Sequence, residues 1–166
     1  MNKEQFKEEL KKLNITLTKN QENQLEEYYN LLIEENKKIN LTTITKKEDV
    51  YLKHFYDSLT IIKVIDLTKK ETLIDIGTGA GFPGLVLKIV FPNLKVTLLD
   101  SLNKRINFLN KVIEKLNLTN IKTVNSRIET YQQETFDIVT SRAVSKINIL
   151  LRLLTKWNFV NSLFFL

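Results

Sequence analysis

The chain of 166 residues contains no cysteine, which excludes disulfides, zinc sites built on cysteine and a cysteine nucleophile. It also lacks an apolar run near the length of a membrane span and an N-terminal sequence typical of a signal peptide. Histidine occurs once and glycine only four times. With 43% apolar residues, the chain can bury one sizeable core. We therefore expect a cytoplasmic monomer with one main domain and no metal.

The net charge of +6 is unevenly distributed along the chain. Residues 1–60 carry 10 Lys and 11 acidic residues, whereas residues 61–166 carry 15 Lys and Arg and 8 acidic residues. A basic surface favours a polyanionic partner such as nucleic acid, because neutralised phosphates supply much of the affinity. A genome rich in A and T would also produce this excess of Lys. The charge therefore supports a nucleic-acid partner but does not establish one.

The pattern of apolar residues divides the chain into two parts. Helical spacing predicts helices at 3–13, from Thr18 to about Lys38 and at 48–64, and these form an N-terminal helical cap at 1–66. Thr18 and Gln21 have the spacing of a capping box. Strands alternate with helices in 67–166, which predicts a parallel sheet of βαβ units packed with the cap as one domain. The predicted strands are 72–76, 94–99, 121–125 and 136–140, and the helices between and after them are 83–91, 103–117 and 147–154.

All four glycines lie in the run 73–84, Leu-Ile-Asp-Ile-Gly-Thr-Gly-Ala-Gly-Phe-Pro-Gly. The run joins a predicted strand to a glycine turn and then to a helix start. Alternating glycines let the backbone adopt positive φ and approach a ligand closely, and Pro83 suits the first turn of a helix. The amides at this helix start are expected to face a ligand. The run therefore predicts a nucleotide-binding turn that includes Gly79.

Two kinds of cofactor use such a turn. From Gly79 the letters match the G-x-G-x-x-G fingerprint of dinucleotide-binding proteins, with Asp100 at the distance expected of a ribose-binding acid. Asp75 argues against a dinucleotide, because its carboxylate would repel a pyrophosphate but attract the sulfonium and amino groups of S-adenosyl-L-methionine. The pattern D-x-G-x-G-x-G after a strand is typical of class I S-adenosylmethionine-dependent methyltransferases. We therefore expect this Rossmann-like α/β sandwich and cofactor, in preference to a dinucleotide or to a turn that binds nothing.

Residues 158–166 predict a fifth strand, and the sequence ends within it. A class I methyltransferase sheet normally continues with a helix and an antiparallel pair of strands, so we expect these C-terminal strands to be missing. An uncovered apolar edge ending in Leu-Phe-Phe-Leu would favour aggregation. A fragment, a shortened gene product and an edge covered by another chain are the three alternatives.

Acidic residues follow the second and third predicted strands. Asp100 is expected to accept hydrogen bonds from both ribose hydroxyls of an adenosine, and its alternative role is to cap the next helix. Glu129 lies where the adenine is expected, beside Ile128 as an apolar neighbour. The alternative for Glu129 is an ordinary surface acid.

The end of the fourth strand, Ser141-Arg142-Ala143, is the expected place of the methyl acceptor. Enzymes that methylate amino groups commonly carry an Asn/Asp-Pro-Pro-aromatic turn there, and carbon-5 pyrimidine methylation commonly uses a cysteine. Neither occurs here, which leaves ring nitrogens, hydroxyls and small molecules. N7 of guanine fits best, because its lone pair carries no proton to remove. Arg142 is expected to anchor cofactor or substrate, with an ion pair to Asp137 or a helix-end contact as the alternative.

His54 is a candidate acid or base as the only histidine of the chain. It lies one helical turn from Asp57 and Ser58, which equally suits a hydrogen bond on a helix surface. Because N7 methylation needs no proton transfer, we favour a positioning role for His54. Lys104 and Arg105 are candidates for RNA binding, with a solvated helix start as the alternative.

These segments together resemble the ribosomal RNA small-subunit methyltransferase G family, also called glucose-inhibited division protein B. The combination is specific, because Phe-Pro-Gly after the glycines and Leu-Asp-Ser-x-x-Lys-Arg after the second strand are not general methyltransferase features. The matching stretches are Asn-Leu-Thr at 40–42, His-Phe-Tyr-Asp-Ser-Leu at 54–59, the run 75–84, Leu-Leu-Asp-Ser-Leu-Asn-Lys-Arg at 98–105, Ser-Arg-Ile-Glu at 126–129 and Ser-Arg-Ala at 141–143.

The resemblance implies methylation of a guanine N7 in the 530 loop of 16S rRNA, free or in a small-subunit particle, with S-adenosylmethionine as donor. By position, it places cofactor contacts at Gly77, Phe82, Ile128, Glu129 and Arg142. The family's region after the fifth strand is absent from this sequence, which leaves the completeness of the sheet and of the RNA-facing surface open. The alternative is a truncated module that binds cofactor or RNA without catalysis.

Overall fold

The computed structural model describes residues 1–69, 71–131 and 135–142, together with the backbone of 163–165. Five parallel strands form one sheet in the order β3-β2-β1-β4-β5. This confirms the predicted parallel α/β arrangement, whereas the helix predicted at 147–154 lies outside the described residues. The strands are β1 (Thr72–Ile76), β2 (Lys95–Asp100), β3 (Ile121–Asn125), β4 (Ile138–Ser141) and β5 (Leu163–Phe165).

Local sequence signals account for where the long helices begin. The Thr18 hydroxyl accepts a hydrogen bond from the Gln21 amide at 3.2 Å, and the Gln21 side chain accepts one from the Thr18 amide at 2.8 Å. This reciprocal pair confirms the predicted capping box. The helices are α1 (Lys3–Lys12), α2 (Lys19–Ile39), α3 (Lys47–Val50), α4 (Asp57–Leu59), α5 (Gly84–Val90) and α6 (Asn103–Lys115).

The third helical segment, 47–63, covers nearly the predicted range but is not a regular α-helix. A π-helical turn at Tyr51–Tyr56 separates α3 from α4, and a 3₁₀ turn at Thr60–Lys63 follows. The π turn buries Tyr51, His54 and Phe55. Such turns within helices occur frequently at functional sites.

One apolar core is shared by the N-terminal helices and the sheet. Phe6 on α1, Leu25 on α2, Leu73 on β1 and Leu109 on α6 all belong to the same buried cluster. A smaller cluster lies on the opposite face of the sheet, since successive side chains of a strand point to opposite faces. It contains Ile74, Ile76, Leu99, Phe136 and Val139.

Within the described ranges, no helix combines the length and the apolar character needed to cross a bilayer. The same residues include no group of three or more His, Asp or Glu side chains placed to hold a metal ion.

Glu26 joins three N-terminal elements through charged contacts. Its carboxylate lies 2.7 Å from Lys3 Nζ, contacts Lys47 Nζ and accepts a hydrogen bond from the Tyr51 hydroxyl at 2.9 Å. Burial alone would raise the pKa of Glu26, but these partners outweigh it and lower the pKa to about 2. The ionised form of Glu26 therefore stabilises the contact of α2 with α1 and with the third helical segment.

Glu26→Gln is expected to lower the melting temperature by roughly 2–4 °C at pH 7. Because the pKa is lower in the folded state than in the unfolded chain, this stabilisation is present above pH 4.5 and is lost as the pH falls towards 2. Thermal unfolding followed by circular dichroism between pH 7 and pH 3 measures the difference. The matched control is Glu27→Gln, since Glu27 makes no ion pair with any described residue. If the difference in melting temperature between the wild type and Glu26→Gln does not change with pH, the prediction is contradicted.

Candidate active site

Asp75, on β1, forms hydrogen bonds to the glycine loop, which we define as residues 77–83 between β1 and α5, and to the start of α5. Its Oδ2 accepts hydrogen bonds from the Thr78 hydroxyl at 2.6 Å and the Gly84 amide at 3.0 Å, and its Oδ1 accepts one from the Thr140 hydroxyl at 3.0 Å. The side chain is fully buried. Burial raises the pKa of Asp75 to about 6, against the opposing effect of its hydrogen bonds. Asp75 thus connects β1, the loop, the start of α5 and β4.

Two predictions about this loop need correction. The first amide of α5, that of Gly84, faces the Asp75 carboxylate and not a ligand site, and Pro83 precedes the helix as its N-cap residue. Asp75 has no exposed surface, so it cannot contact a ligand in this conformation. An attraction of a cationic ligand by Asp75 would act through its electric field.

The loop follows the backbone conformation that alternating glycines predict. Gly77, Gly79 and Gly81 have φ values of 67°, 60° and 105°. A Cβ added to Gly81 would lie 2.7 Å from the Tyr28 hydroxyl and 2.5 Å from Leu85 Cδ1. Gly81 therefore allows α2 and α5 to approach the loop closely.

Aromatic side chains hold the loop from the side of the N-terminal helices. The Tyr28 hydroxyl donates a hydrogen bond to the Ala80 carbonyl at 2.5 Å, and its ring packs against Phe55 and Phe82. The Phe82 ring is buried and stacks on the His54 ring with 4.3 Å between centroids. The Phe82 ring belongs to the core, and the cofactor contact implied for Phe82 stays a prediction.

A cleft of about 400 Å³ opens at the carboxyl ends of β1, β2 and β3. This size is typical of small-molecule sites, and ligands of open parallel sheets bind at this edge. Gly77, Asp100, Ile128 and Glu129 line this cleft together, and their contact with the cofactor stays a prediction. The lining residues are Ile76, Gly77, Leu99, Asp100, Ser101, Arg105, Ser126, Arg127, Ile128 and Glu129.

Asp100 is buried, and both of its carboxylate oxygens have protein partners. Oδ1 accepts a hydrogen bond from the Leu102 amide at 2.9 Å, whereas Oδ2 accepts from the Gly79 amide at 3.0 Å and from the Arg105 guanidinium at 3.1 Å. The bond to Leu102 closes a turn before α6, but the N-cap residue of α6 is Leu102, so the predicted alternative of Asp100 as the helix cap is wrong. Because each carboxylate oxygen accepts about two hydrogen bonds, Oδ1 retains capacity for one further donor. A bond to a ribose hydroxyl stays a prediction.

Arg105 pairs with Asp100 and lines the cleft, and its side chain is 34% exposed. Its predicted contact with an RNA phosphate stays a prediction. Lys104 is exposed in the first turn of α6 and stays a candidate for RNA binding.

His54 and Arg142 form a second polar group next to the glycine loop. His54 Nε2 lies 3.0 Å from Thr42 Oγ1, and Arg142 Nη2 donates a hydrogen bond to the Lys53 carbonyl at 2.9 Å and lies 3.6 Å from Asp57 Oδ2. Burial, together with the positive charge of Arg142, lowers the pKa of His54 to about 4. The ring is therefore neutral at pH 7, which disfavours a role as a general acid. These contacts of Arg142 join it to the third helical segment, and its predicted role in anchoring cofactor or substrate stays a prediction.

Several supporting residues were not predicted as part of the site. Tyr28 has only the helical spacing of a core residue, and nothing in the sequence pattern marks Thr78 or Thr140 as partners of Asp75. Thr42 lies in the stretch 40–42 that carries the family resemblance, which was its only signal.

Sequence comparison decides the family of this chain. The family described as GidB, rRNA small subunit methyltransferase G, matches residues 21–166. The chain belongs to the rRNA small subunit methyltransferase G family. This confirms the resemblance based on the glycine run and on the segments after the strands.

Curated members of the methyltransferase G family extend beyond the length of this chain. Proteins named ribosomal RNA small subunit methyltransferase G are 49% identical over 154 residues in Macrococcus caseolyticus and 50% identical over 155 residues in Bacillus subtilis. Each alignment covers 90% of this chain and 65% of the relative. A Staphylococcus saprophyticus relative is 52% identical over 140 residues, which are 82% of this chain and 59% of that protein. The chain therefore spans 59 to 65% of the length of these three relatives.

Solved structures place this methyltransferase G family member in the class I fold. Coclaurine N-methyltransferase bound to N-methylheliamine and SAH matches with a TM-score of 0.58 and 20% identity, over 84% of this chain and 42% of that protein. An S-adenosylmethionine-dependent methyltransferase from Aquifex aeolicus matches with a TM-score of 0.55 and 23% identity, over 74% of this chain and 66% of that protein. At these identities the likeness concerns the fold alone, and it confirms the predicted Rossmann-like methyltransferase class.

Proposed function

We propose that this protein transfers a methyl group from S-adenosylmethionine to N7 of a guanine in the 530 loop of 16S rRNA. The observation that carries the proposal is the family match over residues 21–166. The location of the cleft supports it, because the cleft lies at the carboxyl edge of β1 to β3 beside the glycine loop. The family and the site thus favour the same chemistry.

The residues of the cleft fit S-adenosylmethionine in size and in chemistry. Ile76, Leu99 and Ile128 provide apolar surface for an adenine ring, and the exposed carboxylate of Glu129 can accept a hydrogen bond from the exocyclic amine. Gly77 is exposed at the start of the loop, where its main chain can approach the ligand. When bound, the cofactor supplies an electrophilic methyl group on a cationic sulfur.

The protein groups near the end of β4 suit an acceptor that needs no proton removed. His54 is uncharged at pH 7 because its pKa is lowered to about 4. The chain also contains no cysteine to act as a nucleophile. The lone pair of guanine N7 requires neither group, so the protein would act mainly by aligning the reactants. Alignment contributes roughly 7–11 kcal/mol in well-oriented systems.

The distribution of charge along the chain supports a nucleic-acid partner. Residues 61–166 carry 15 basic and 8 acidic residues, and Lys104 and Arg127 are exposed at or near the cleft. Phosphate neutralisation by such residues supplies affinity without sequence specificity. A ribosomal RNA substrate, free or in a small-subunit particle, also implies a cytoplasmic location, and we expect the protein to be a monomer.

A methyl-transfer assay tests the proposed function. The protein is incubated with methyl-labelled S-adenosylmethionine and with 16S rRNA or small subunits that lack the modification, and the digested RNA is analysed for 7-methylguanosine. The Bacillus subtilis relative serves as the reference protein. Label on an exocyclic amine or a ribose oxygen would contradict the mechanism. Binding of S-adenosylhomocysteine in calorimetry without any transfer would favour the alternative of a binding module.

A further inference from the structure

The Asp100 carboxylate has one hydrogen-bond position that no described residue occupies. Oδ2 already accepts from the Gly79 amide at 3.0 Å and from Arg105 Nη1 at 3.1 Å, which fills its two positions. Oδ1 accepts from the Leu102 amide at 2.9 Å and keeps one position. In this conformation Asp100 can therefore accept a hydrogen bond from one ribose hydroxyl but not from both. The second hydroxyl needs another partner in the cleft.

Arg105 has further hydrogen-bond donors beside this carboxylate. A guanidinium carries five N–H groups, and the side chain of Arg105 makes one hydrogen bond to a described residue, from Nη1 to Asp100. The side chain is partly exposed and lines the cleft together with Asp100. Within the described residues, none of its nitrogens is both buried and without a partner. Its remaining N–H groups are therefore accessible to a ligand in the cleft.

The turn before α6 fixes both side chains in relation to the cleft. Asp100 is the last residue of β2, and the hydrogen bond from the Leu102 amide to its carboxylate closes the turn. Arg105 follows in the first turn of α6, where its amide donates a hydrogen bond to the Leu102 carbonyl at 2.9 Å. The protein itself thus holds the carboxylate and the guanidinium together, which lowers the entropic cost of binding a ligand between α6 and the glycine loop.

Pairing with Asp100 also explains why a cation can line a cleft for S-adenosylmethionine, whose sulfonium is positive. The charged residues that line the cleft are Asp100, Glu129, Arg105 and Arg127, and their formal charges cancel. Arg105 therefore offers N–H donors without making the cleft positive. Because Asp100 offsets its charge, Arg105 attracts an RNA phosphate less strongly than the exposed Lys104, which forms no ion pair with a described residue. The pair favours a neutral hydroxyl group over a phosphate.

We propose that Arg105 is a cofactor-binding residue that, together with Asp100, determines specificity for a ribose. One ribose hydroxyl donates a hydrogen bond to Asp100 Oδ1, and the oxygen of the neighbouring hydroxyl accepts one from the Arg105 guanidinium. A hydroxyl group can act in both ways, whereas a deoxyribose lacks one of the two groups. This inference rests on the proposed function, because it assigns the cleft to the adenosine part of S-adenosylmethionine.

Calorimetry with three ligands tests the proposal. S-adenosylhomocysteine is compared with its 2′-deoxy and 3′-deoxy analogues, each of which lacks one hydroxyl, in the wild type and in Arg105→Ala. We expect both analogues to bind the wild type more weakly than S-adenosylhomocysteine does, and we expect Arg105→Ala to weaken binding of S-adenosylhomocysteine about tenfold. In the variant, the analogue without the hydroxyl that contacts Arg105 is expected to lose no further affinity, whereas the other analogue keeps its loss.

Three results would overturn the proposal. If Arg105→Ala weakens binding of all three ligands by the same factor, Arg105 acts on the cleft as a whole and does not contact the ribose. If the variant binds S-adenosylhomocysteine as tightly as the wild type but binds 16S rRNA more weakly, Arg105 contacts an RNA phosphate instead. Both of these results leave the proposed function intact. A wild-type protein that binds no S-adenosylhomocysteine would overturn the proposed function and this inference together.

Two further variants control for folding and for charge. Arg105→Lys keeps a positive charge beside Asp100 but replaces the planar fork of N–H groups with a single ammonium group. We expect it to keep the melting temperature of the wild type and to bind S-adenosylhomocysteine several-fold more weakly, so the three ligands can be compared even if Arg105→Ala does not fold. Lys115→Ala removes an exposed cation from the other end of α6. We expect its affinity for all three ligands to equal that of the wild type.

Discussion

Asp75→Ala is expected to lower the free energy of unfolding by about 4 kcal/mol or more. The change leaves the Thr78 hydroxyl, the Thr140 hydroxyl and the Gly84 amide without their acceptor in a region closed to solvent. Each buried donor without a partner costs about 1–3 kcal/mol. Because the same carboxylate joins the loop to α5, we also expect cofactor binding to be lost. Urea unfolding and calorimetry with S-adenosylhomocysteine measure the two effects.

Asp75→Asn is the matched control for the charge of this residue. Its side-chain oxygen can accept hydrogen bonds from Thr78 and Gly84, and its amino group can donate to the Thr140 hydroxyl. The variant also removes the cost of burying a charge, which is about 3 kcal/mol at pH 7 for a pKa raised to about 6. We therefore expect Asp75→Asn to be at least as stable as the wild type at pH 7. We expect it to bind the cofactor several-fold more weakly, because the field that attracts a sulfonium is lost.

The pH dependence of the unfolding free energy tests whether burial raises the pKa of Asp75. Because the pKa of Asp75 is higher in the folded state than in the unfolded chain, its contribution to stability is greatest below pH 3.8 and is lost as the pH rises through about 6. The Asn variant lacks this titration. The difference in unfolding free energy between the two proteins is therefore expected to shift in favour of the variant between pH 4 and pH 7. A difference that stays constant over this range would show that burial does not raise the pKa.

Gly84→Ala is expected to destabilise the fold by about 3 kcal/mol. An added Cβ would overlap Leu98 Cδ2 and lie 2.9 Å from Asp75 Oδ2. Neither neighbour can easily withdraw, because Leu98 is fully buried in the core and Asp75 is held by three hydrogen bonds. Urea unfolding of the variant measures the loss, and we expect weaker cofactor binding because α5 begins at this residue.

Gly79→Ala provides the comparison for Gly84→Ala. At Gly79 the backbone has φ 60°, so alanine is strained by about 1–2 kcal/mol. The nearest atom to its added Cβ is 3.9 Å away, so no overlap is added. We expect the loss of stability to be smaller than in Gly84→Ala. Equal losses in the two variants would mean that close packing at the start of α5 is not the cause.

Features that depend on neighbouring residues were predictable from the sequence. The capping box of Thr18 and Gln21 and the strand runs follow from short-range spacing, and the structure places the capping box and β1 to β4 within about two residues of the prediction. The fifth strand was predicted from 158, whereas β5 begins at Leu163. The glycine turn could be recognised because positive φ at alternating positions needs glycine. Family membership was also accessible, since the segments that carry it are contiguous in the chain.

Only the tertiary structure decided which polar groups meet. Asp75 accepts a hydrogen bond from Thr140, which is 65 residues away in the sequence. Arg142 donates one to the Lys53 carbonyl, which is 89 residues away. No local pattern encodes such pairs, because they depend on how strands and helices are arranged once the core is buried. The pairing of Arg105 with Asp100 likewise depends on the turn before α6, which brings a predicted RNA-binding cation into the cleft.

The third helical segment has one feature that the sequence predicted and one that only the tertiary structure decided. Helical spacing at 48–64 determined that the segment is helical, but a period of 3.6 residues contains no signal for the π turn at Tyr51–Tyr56. Packing against Phe6 and Phe82 places Tyr51 and His54 in the interior, and the neutral state of His54 follows from this burial. The sequence by itself thus determined the fold class, the glycine loop and the family. Hydrogen bonds and burial between distant residues decided which of the candidate side chains support the loop, which line the cleft and which remain free to contact a ligand.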